Sequence, residues 1–366
     1  MLILDIIKIL ESFAPLAYQE SYDNCGLLIG NKTWNCSGVL CTLDVTEKVI
    51  EEAKQKKCNL IVAHHPIIFT GLKKIVGNNY VEEIIIAAIK NDIAIYACHT
   101  NLDNTFNGVN HKIADQLGLV NRKILQPKTN ILSKLFVFVP NNDVVKVREA
   151  IFKAGAGEIA NYSECSFNTS GEGTFKGNEN STQTIGKPLV RETVEEIKIE
   201  VILPTYLQNQ VVEQMKFAHP YEEVAYDIVP LSNQNQQVGS GMIGELANSM
   251  KDEDFLIFVK KQFGLKVIKH TALLNKPIKK VAFCGGSGSF LIKNAIAAKA
   301  DIYISSDIKY HEFFDSESKI VIADIGHWES EQFTIGLLVD IIRAKTPTFA
   351  VLKSEVNTNP VSYFIA

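Results

Sequence analysis

The chain has 366 residues, more than one hydrophobic core usually organises, so two or three domains are expected. Hydrophobic residues make up 46% and charged residues 21%, an ordinary globular composition, and the formal net charge of -4 argues against bulk electrostatic binding to nucleic acid. The 7 cysteines are scattered with no CxxC pair, which fits reduced thiols in a cytoplasm better than a disulfide framework or an all-cysteine zinc site.

Met1 to Lys8 carries charge inside its apolar stretch and reads as an amphipathic helix rather than a signal peptide. No apolar run approaches the roughly 18–20 residues that span a bilayer, so no membrane partner is expected. Val39 to Leu43 is a short strand, and Thr46 to Lys57 has helical spacing with Thr46 able to cap. Leu60 to Ala63 is a buried strand, Val81 to Lys90 a second helix, and Ile93 to Cys98 the next strand. Alternation of this kind implies a parallel sheet covered on both faces. The middle differs. Leu135 to Val139, Ile197 to Leu203 and Glu223 to Val229 read as strands, and Asn142 to Ala154 and Tyr206 to Phe217 as helices. Ser163 to Lys187, rich in Gly, Ser, Thr and Asn, reads as a long mobile loop. That order suggests a ferredoxin-like domain inserted between polar linkers near Val120–Lys134 and Ser232–Ser240. The α/β rhythm then returns, with strands at Lys280 to Cys284, Asp301 to Ile304 and Lys319 to Ala323, and helices at Phe290 to Lys299 and Gln332 to Arg343. Ala53 to His65 overlays Ala295 to Asp307 in pattern. An internal duplication would place His64-His65 and Ser306-Asp307 at equivalent strand ends.

Ligands of parallel α/β sheets bind beyond the carboxyl ends of the strands, and three polar clusters fall at such ends. His64-His65 closes an apolar strand ahead of Pro66. Either it is a polar strand end in water, or it is a pair of imidazole metal ligands, which both reach one site only if the chain turns there. His99 and Asp103 follow the next strand. Asp103 can begin a turn, or bridge two cations. His327 and Glu331, spaced i,i+4, share one face of a helical turn, where Glu is also favoured by the helix dipole alone. Asp307, His311 and Glu312 form a fourth polar group that could support ligands or touch a substrate. The Gly285 to Ser289 loop could hold an anion on its backbone N–H groups, or simply make a tight turn. No G-x-S-x-G, H-E-x-x-H or dinucleotide fingerprint occurs.

Four segments together resemble one family. Tyr22-Asp23-Asn24-Cys25-Gly26-Leu27-Leu28-Ile29-Gly30 is similar to a DNxGLxxG signature. Ala63-His64-His65-Pro66-Ile67-Ile68-Phe69 is similar to an HHPxxF motif, His99 to Asp103 to HTxxD, and Gly326 to Glu331 to GHxxxE. All belong to the NGG-interacting-factor-three-like family, many bacterial members of which carry the name GTP cyclohydrolase 1 type 2. The resemblance covers about residues 1–125 and 240–366. It implies two similar α/β halves, 1–125 and 236–366, with parallel-rich sheets forming one metal-binding domain, interrupted at 126–235 by a PII-like α+β insert. It further implies two divalent metal ions per subunit, zinc first, with iron, manganese or cobalt also compatible. Their ligands would be His64, His65, Asp103, His327 and Glu331. A homo-oligomer, a toroidal hexamer, is expected, with a nucleotide or other small molecule as substrate. Metal-dependent hydrolysis, as in GTP ring opening, would need a general acid, for which His99, His311 and Glu312 are the candidates. The competing reading is a non-catalytic scaffold that stores, delivers or senses. Binding of nucleic acid is the third reading, which the acidic balance disfavours.

Overall fold

The computed structural model describes residues 1–364. Its strands, in chain order, begin with β1 (Gly26–Ile29), β2 (Val39–Thr42), β3 (Leu60–Ala63), β4 (Ala94–Ala97) and β5 (Val120–Lys128). They continue with β6 (Leu132–Pro140), β7 (Ser166–Lys176), β8 (Arg191–Pro204), β9 (Tyr226–Leu231) and β10 (Asn235–Met250). The last are β11 (Lys269–His270), β12 (Ile278–Ser287), β13 (Ile302–Ser306), β14 (Val321–Asp324) and β15 (Val351–Lys353). The fold is mixed α/β with several sheets. It divides into two compact units, one of residues 1–127 and 237 onward, the other of residues 128–236. Among the described residues no helix is long and apolar enough to cross a membrane.

In the first unit one sheet has the order β1-β4-β3-β2-β15. β15, β2, β3 and β4 run parallel, and β1 closes the edge antiparallel to β4. β2, β3 and β4 are buried at every position, as continuous apolar runs covered on both faces should be. Alternation along the strand sends Leu60 and Val62 to one core and Ile61 and Ala63 to another. The second core is filled by Val49, Ile50 and Ala53 of the helix Glu47–Gln55 and by Ile84, Ile85 and Ala88 of the helix Tyr80–Lys90. Thr46 and Asn79 start these helices, each accepting a bond from the backbone N–H three residues on.

The other sheet of this unit has the order β11-β14-β13-β12-β10-β5. β12, β13 and β14 are parallel, with β11 antiparallel to β14 and β10 antiparallel to β12. The series β11-β14-β13-β12 thus has the order and directions of β1-β4-β3-β2. The joints before β3 and β13 also match, for Lys57 and Lys299 both adopt left-handed backbone, at φ 56° and 57°. One core joins the two sheets, with Ile3, Ile6 and Leu10 of the helix Ile3–Phe13, Val62 and Tyr96 of one sheet, and Phe283, Ile304 and Val321 of the other.

The second unit is a sheet of order β7-β8-β6-β9, antiparallel throughout. Leu135, Val137 and Val139 of β6 and Ile199, Val201 and Leu203 of β8 pack on Val147 and Ile151 of the helix Val144–Lys153 and on Val211 and Met215 of the helix Gln208–Ala218. Along β6 fully buried positions alternate with half-buried Leu132, Lys134, Phe136 and Phe138, the period-two burial of a sheet covered on one side.

Three expectations from the sequence are corrected. Ser163 to Lys187 is not one loop, since Ser166–Lys176 is β7, paired along its whole length with β8. Its side chains are mostly exposed, so no apolar alternation marks it, while the ladder is held by backbone groups that need none. The polar linkers are strand rather than loop, although the two units divide inside both of them. Most of Val120–Lys134 belongs to β5 and β6, and Ser232–Ser240 runs into β10. Burial there rests on the few positions Ile124, Leu125 and Val238, diluted among polar neighbours. The Gly285–Ser289 segment is strand as far as Ser287, with a register shift after Phe283 that bends β12.

Gly30 follows β1 at φ 97°, and a Cβ there would lie 2.6 Å from Ala94 Cβ and 2.8 Å from Ala94 Cα. Gly30→Ala is expected to destabilise the protein by about 2 kcal/mol or more, read as a lower denaturant midpoint at unchanged m-value.

Candidate metal centre

Beyond β3 the backbone keeps pairing for two residues, His64 N–H to Thr42 O and His65 N–H to Leu43 O. The chain bends at His64 and His65, just before Pro66, and both imidazoles serve one site, their ring centroids 4.9 Å apart. His64 is wholly buried, and its Nδ1 donates to Cys98 O at 2.9 Å, which leaves Nε2 as the bare, inward nitrogen. The other imidazoles repeat this device with carboxylates. His65 Nδ1 meets Asp44 Oδ1 at 2.7 Å, His99 Nδ1 meets Asp23 Oδ1 at 2.9 Å and His327 Nδ1 meets Asp307 Oδ2 at 2.6 Å. Outer groups on Nδ1 fix each ring's tautomer and tilt, the arrangement that metal-ligating histidines use.

Glu331 sits where these nitrogens converge. It lies on the short helix His327–Glu331, whose i,i+4 spacing brings His327 Nε2 to 3.1 Å from Glu331 Oε2. His65 Nε2 reaches the same oxygen at 3.0 Å, and His327 Nε2 and His65 Nε2 are 3.3 Å apart. On the other side, His64 Nε2 stands 3.6 Å from Asp103 Oδ1 and 3.7 Å from Glu331 Oε1. Those are too long for hydrogen bonds. His64 Nε2 and Asp103 Oδ1 are in fact buried without any hydrogen-bond partner. Bonds of about 2.0–2.2 Å to a tetrahedral ion would set neighbouring ligand atoms about 3.3–3.6 Å apart, close to what is seen here. Three overlapping groups could hold metal ions: His64, His65 and His99; His65, His327 and Glu331; and His64, Asp103 and Glu331.

The electrostatics agree with a site that expects cations. Burial works against the charge of Glu331, but His64, His327 and His65 outweigh it and hold the carboxyl well below its usual range. Burial lifts the Asp103 carboxyl to about 7 against the pull of His99, and the charge of Glu331 adds to the lift. Burial likewise disfavours charge on His65 and His327. Hydrogen bonds to Asp44 and Glu331 nevertheless carry His65 up to about 10, and those to Asp307 and Glu331 carry His327 up to about 11.

The cluster opens into a cavity of about 410 Å³ that Tyr22, Phe69 and Phe290 help to line. All three rings are exposed large hydrophobics, and Tyr22 and Phe69 lie 6.3 Å apart between centroids.

The five residues expected as ligands therefore come together, and His99 joins them. His311 and Glu312 do not line this cavity. The His311 ring lies against Tyr310 and Phe314, while Glu312 accepts from Ser289 Oγ and from the Lys309 backbone N–H. Asp307 acts through His327. The glycine segment offers no free anion cradle at Gly285 and Gly286, because Gly285 N–H donates to Asn110 Oδ1 and Gly286 N–H to Ser330 Oγ. Its glycines serve close approach, since a Cβ on Gly286 would stand 2.3 Å from Glu331 Oε1. Asp44 and Asp23 went unassigned in the sequence. Asp44 follows β2 directly, so the strand-end rule that found His64 would have found it.

The Duf34/NIF3 (NGG1p interacting factor 3) family model matches residues 1–360. Relatives named GTP cyclohydrolase 1 type 2 homolog are 41% identical in Halalkalibacterium halodurans, over 98% of this chain and 98% of that one, and 37% identical in Bacillus subtilis, over 98% and 97%. The crystal structure of a Bacillus cereus protein related to NIF3 superposes with a TM-score of 0.86 at 39% identity, covering 98% of both chains. With the family model matching residues 1–360 and relatives at up to 41% identity covered almost end to end, the chain belongs to the Duf34/NIF3 family.

Proposed function

We propose that this protein binds two divalent metal ions through His64, His65, Asp103, His327 and Glu331, and uses them as a metal-dependent hydrolase of the GTP cyclohydrolase type. The observation that carries the reading is the facing pair of buried, unpartnered atoms, His64 Nε2 and Asp103 Oδ1, with Glu331 beside them. Buried polar atoms are rarely left unpaired, and a cation pairs both at once. The names of the relatives support the reaction class. Mixed nitrogen and oxygen ligands suit zinc first, with iron, manganese and cobalt compatible. When bound, such ions supply Lewis acidity and a water made nucleophilic near neutral pH.

The chain's own residues do the rest. Asp44 and Asp307 hold His65 and His327 with Nε2 turned inward. Tyr22, Phe69 and Phe290 offer flat apolar contact to a purine base or similar ring at the mouth. His99, backed by Asp23, is the group placed to pass a proton at Nε2.

The rest of the proposal concerns architecture. Residues 1–125 and 236–366 are two halves of a duplicated α/β unit, supported by the shared strand order and by the matching left-handed lysines. Residues 126–235 are an inserted ferredoxin-like, PII-like domain. The assembly is a toroidal homohexamer of the cytoplasm, where its seven cysteines stay as free thiols. One observation favours the scaffold reading in its sensing form. The second unit has a cavity of about 890 Å³ edged by Phe138, Phe175, Glu196 and Tyr221, large enough for a regulatory ligand.

Turnover decides between the two. Protein loaded with each metal in turn is expected to hydrolyse GTP or a related nucleotide saturably, and to stop on chelation. Tight, exchangeable metal with no turnover of any nucleotide would leave the scaffold. His65→Ala is expected to lose one ion by elemental analysis and to lose activity, and full activity in metal-free His65→Ala would overturn the mechanism. Gly286→Ala, which drives a methyl group into Glu331, is expected to weaken metal binding about tenfold or more in a chelator competition, with the fold retained by circular dichroism.

A further inference from the structure

The segment that follows β15 has no regular structure, and its later side chains bond Asp44, which holds His65, and Trp328 and Glu329 of the helix that carries His327. Ser354 N–H continues the pairing with β2 by donating to Cys41 O at 2.8 Å. The buried Glu52 carboxylate then holds the start of the segment, accepting from Ser354 Oγ and from the Glu355 N–H, with Lys56 closing the other side. Further on, Thr358 Oγ1 donates to Asp44 Oδ2 at 2.6 Å and accepts from Trp328 Nε1 at 3.2 Å. Asn359 Nδ2 donates to Glu329 Oε1 at 3.0 Å, and the Tyr363 hydroxyl also hydrogen-bonds Glu329.

The direction of these bonds follows from chemistry alone. An indole N–H can only donate, and an ionised carboxylate can only accept. The Thr358 hydroxyl must therefore take the indole proton on a lone pair and point its own hydrogen at Asp44. The other oxygen of Asp44 takes the proton of His65 Nδ1 at 2.7 Å. A single line thus runs from Trp328, next to His327 on its helix, through Thr358 and Asp44 to His65. Its two ends flank the two imidazoles whose Nε2 atoms share Glu331 Oε2.

We propose that residues 354–363 are a strap that sets the metal centre, with Thr358 as the positioning residue that fixes His65 through Asp44 and ties it to the helix of His327. The inference rests on the metal-binding reading above and adds to it a division between sites. The strap acts on the ion shared by His65 and His327. The group of His64, Asp103 and Glu331 has its bare atoms deeper and receives nothing from the strap. Removing the Thr358 hydroxyl frees one side of Asp44 to rotate and leaves the Trp328 indole unpaired, so the His65 ring loses its fixed tilt.

The test uses the full-length protein, stripped of metal and titrated with Zn²⁺ against a competing chelator, with the visible spectrum of Co²⁺ as a second readout. Thr358→Val keeps the side-chain volume and removes the hydroxyl. It is expected to weaken one of two binding events by about tenfold to a hundredfold, to leave the other unchanged, and to alter the Co²⁺ bands of the weakened ion alone. Thr358→Ser restores both events. Asp44→Asn, one link closer to His65, weakens the same event, and adding Thr358→Val to it costs little more. Two unchanged events in Thr358→Val overturn the strap. So does equal loss of both, or a lower melting temperature of the metal-free variant, because either assigns Thr358 a general structural contact. A wild-type protein that takes up no ion, or a His65→Ala variant that keeps both, overturns the metal-binding reading itself and the strap with it, and that result is seen before any strap variant is made.

Discussion

Glu331 is a carboxylate held 2% exposed, and the rest of the site follows from the cost of keeping it there. Burying an ionised carboxylate costs several kcal/mol unless positive charge and hydrogen bonds stand close to it. Here three inward imidazole nitrogens surround it, and Asp103 brings a second carboxylate into the same hole. The imidazoles alone do not balance this arrangement. His64 Nδ1 is engaged with Cys98 O, and His64 Nε2 and Asp103 Oδ1 find no hydrogen-bond partner. Positive charge at the convergence points, on a cation or on His65 and His327, offsets the buried carboxylates.

Such convergence needs a scaffold that delivers side chains from far along the chain to one spot with small error. Parallel strands do this because all their carboxyl ends lie on one edge. β3 delivers His64 and His65, β4 delivers His99 and then Asp103, and β14 leads into His327 and Glu331. The strands are short and wholly buried, so their ends are fixed by packing on both faces. Loops then supply only the last few residues, and the outer carboxylates Asp23, Asp44 and Asp307 remove the remaining freedom of the rings.

That division of labour explains what the sequence could reveal. Leu60 to Ala63 is legible because a strand buried on both faces must be apolar throughout, and the histidines stand out because nothing else explains two imidazoles after such a run. β7 is illegible because its pairing is made by backbone, with Gly171 and Gly173 inside it and side chains facing solvent. Asp44 and Thr358 lie 314 residues apart and meet only through the tertiary fold, so no local pattern marks either. Gly286 looked like part of an anion loop because a glycine required for close approach and a glycine required for backbone N–H access are the same letter. The distance to Glu331 separates them.

On the proposed duplication, the two strand ends have taken different parts, and charge explains why both could not be alike. His64-His65 after β3 corresponds to Ser306-Asp307 at the end of β13. In the first half this position brings two imidazoles to the centre, whereas in the second Asp307 supplies the carboxylate that holds His327. Two histidines in place of Ser306-Asp307 would have removed that anchor and added basic groups to a site already holding four imidazoles. His327 would then have lost its fixed tautomer, and with it the inward Nε2 that meets Glu331. A site built from both halves thus has them differ where these strand ends meet it, His64-His65 giving two imidazoles and Ser306-Asp307 giving the carboxylate that orients His327.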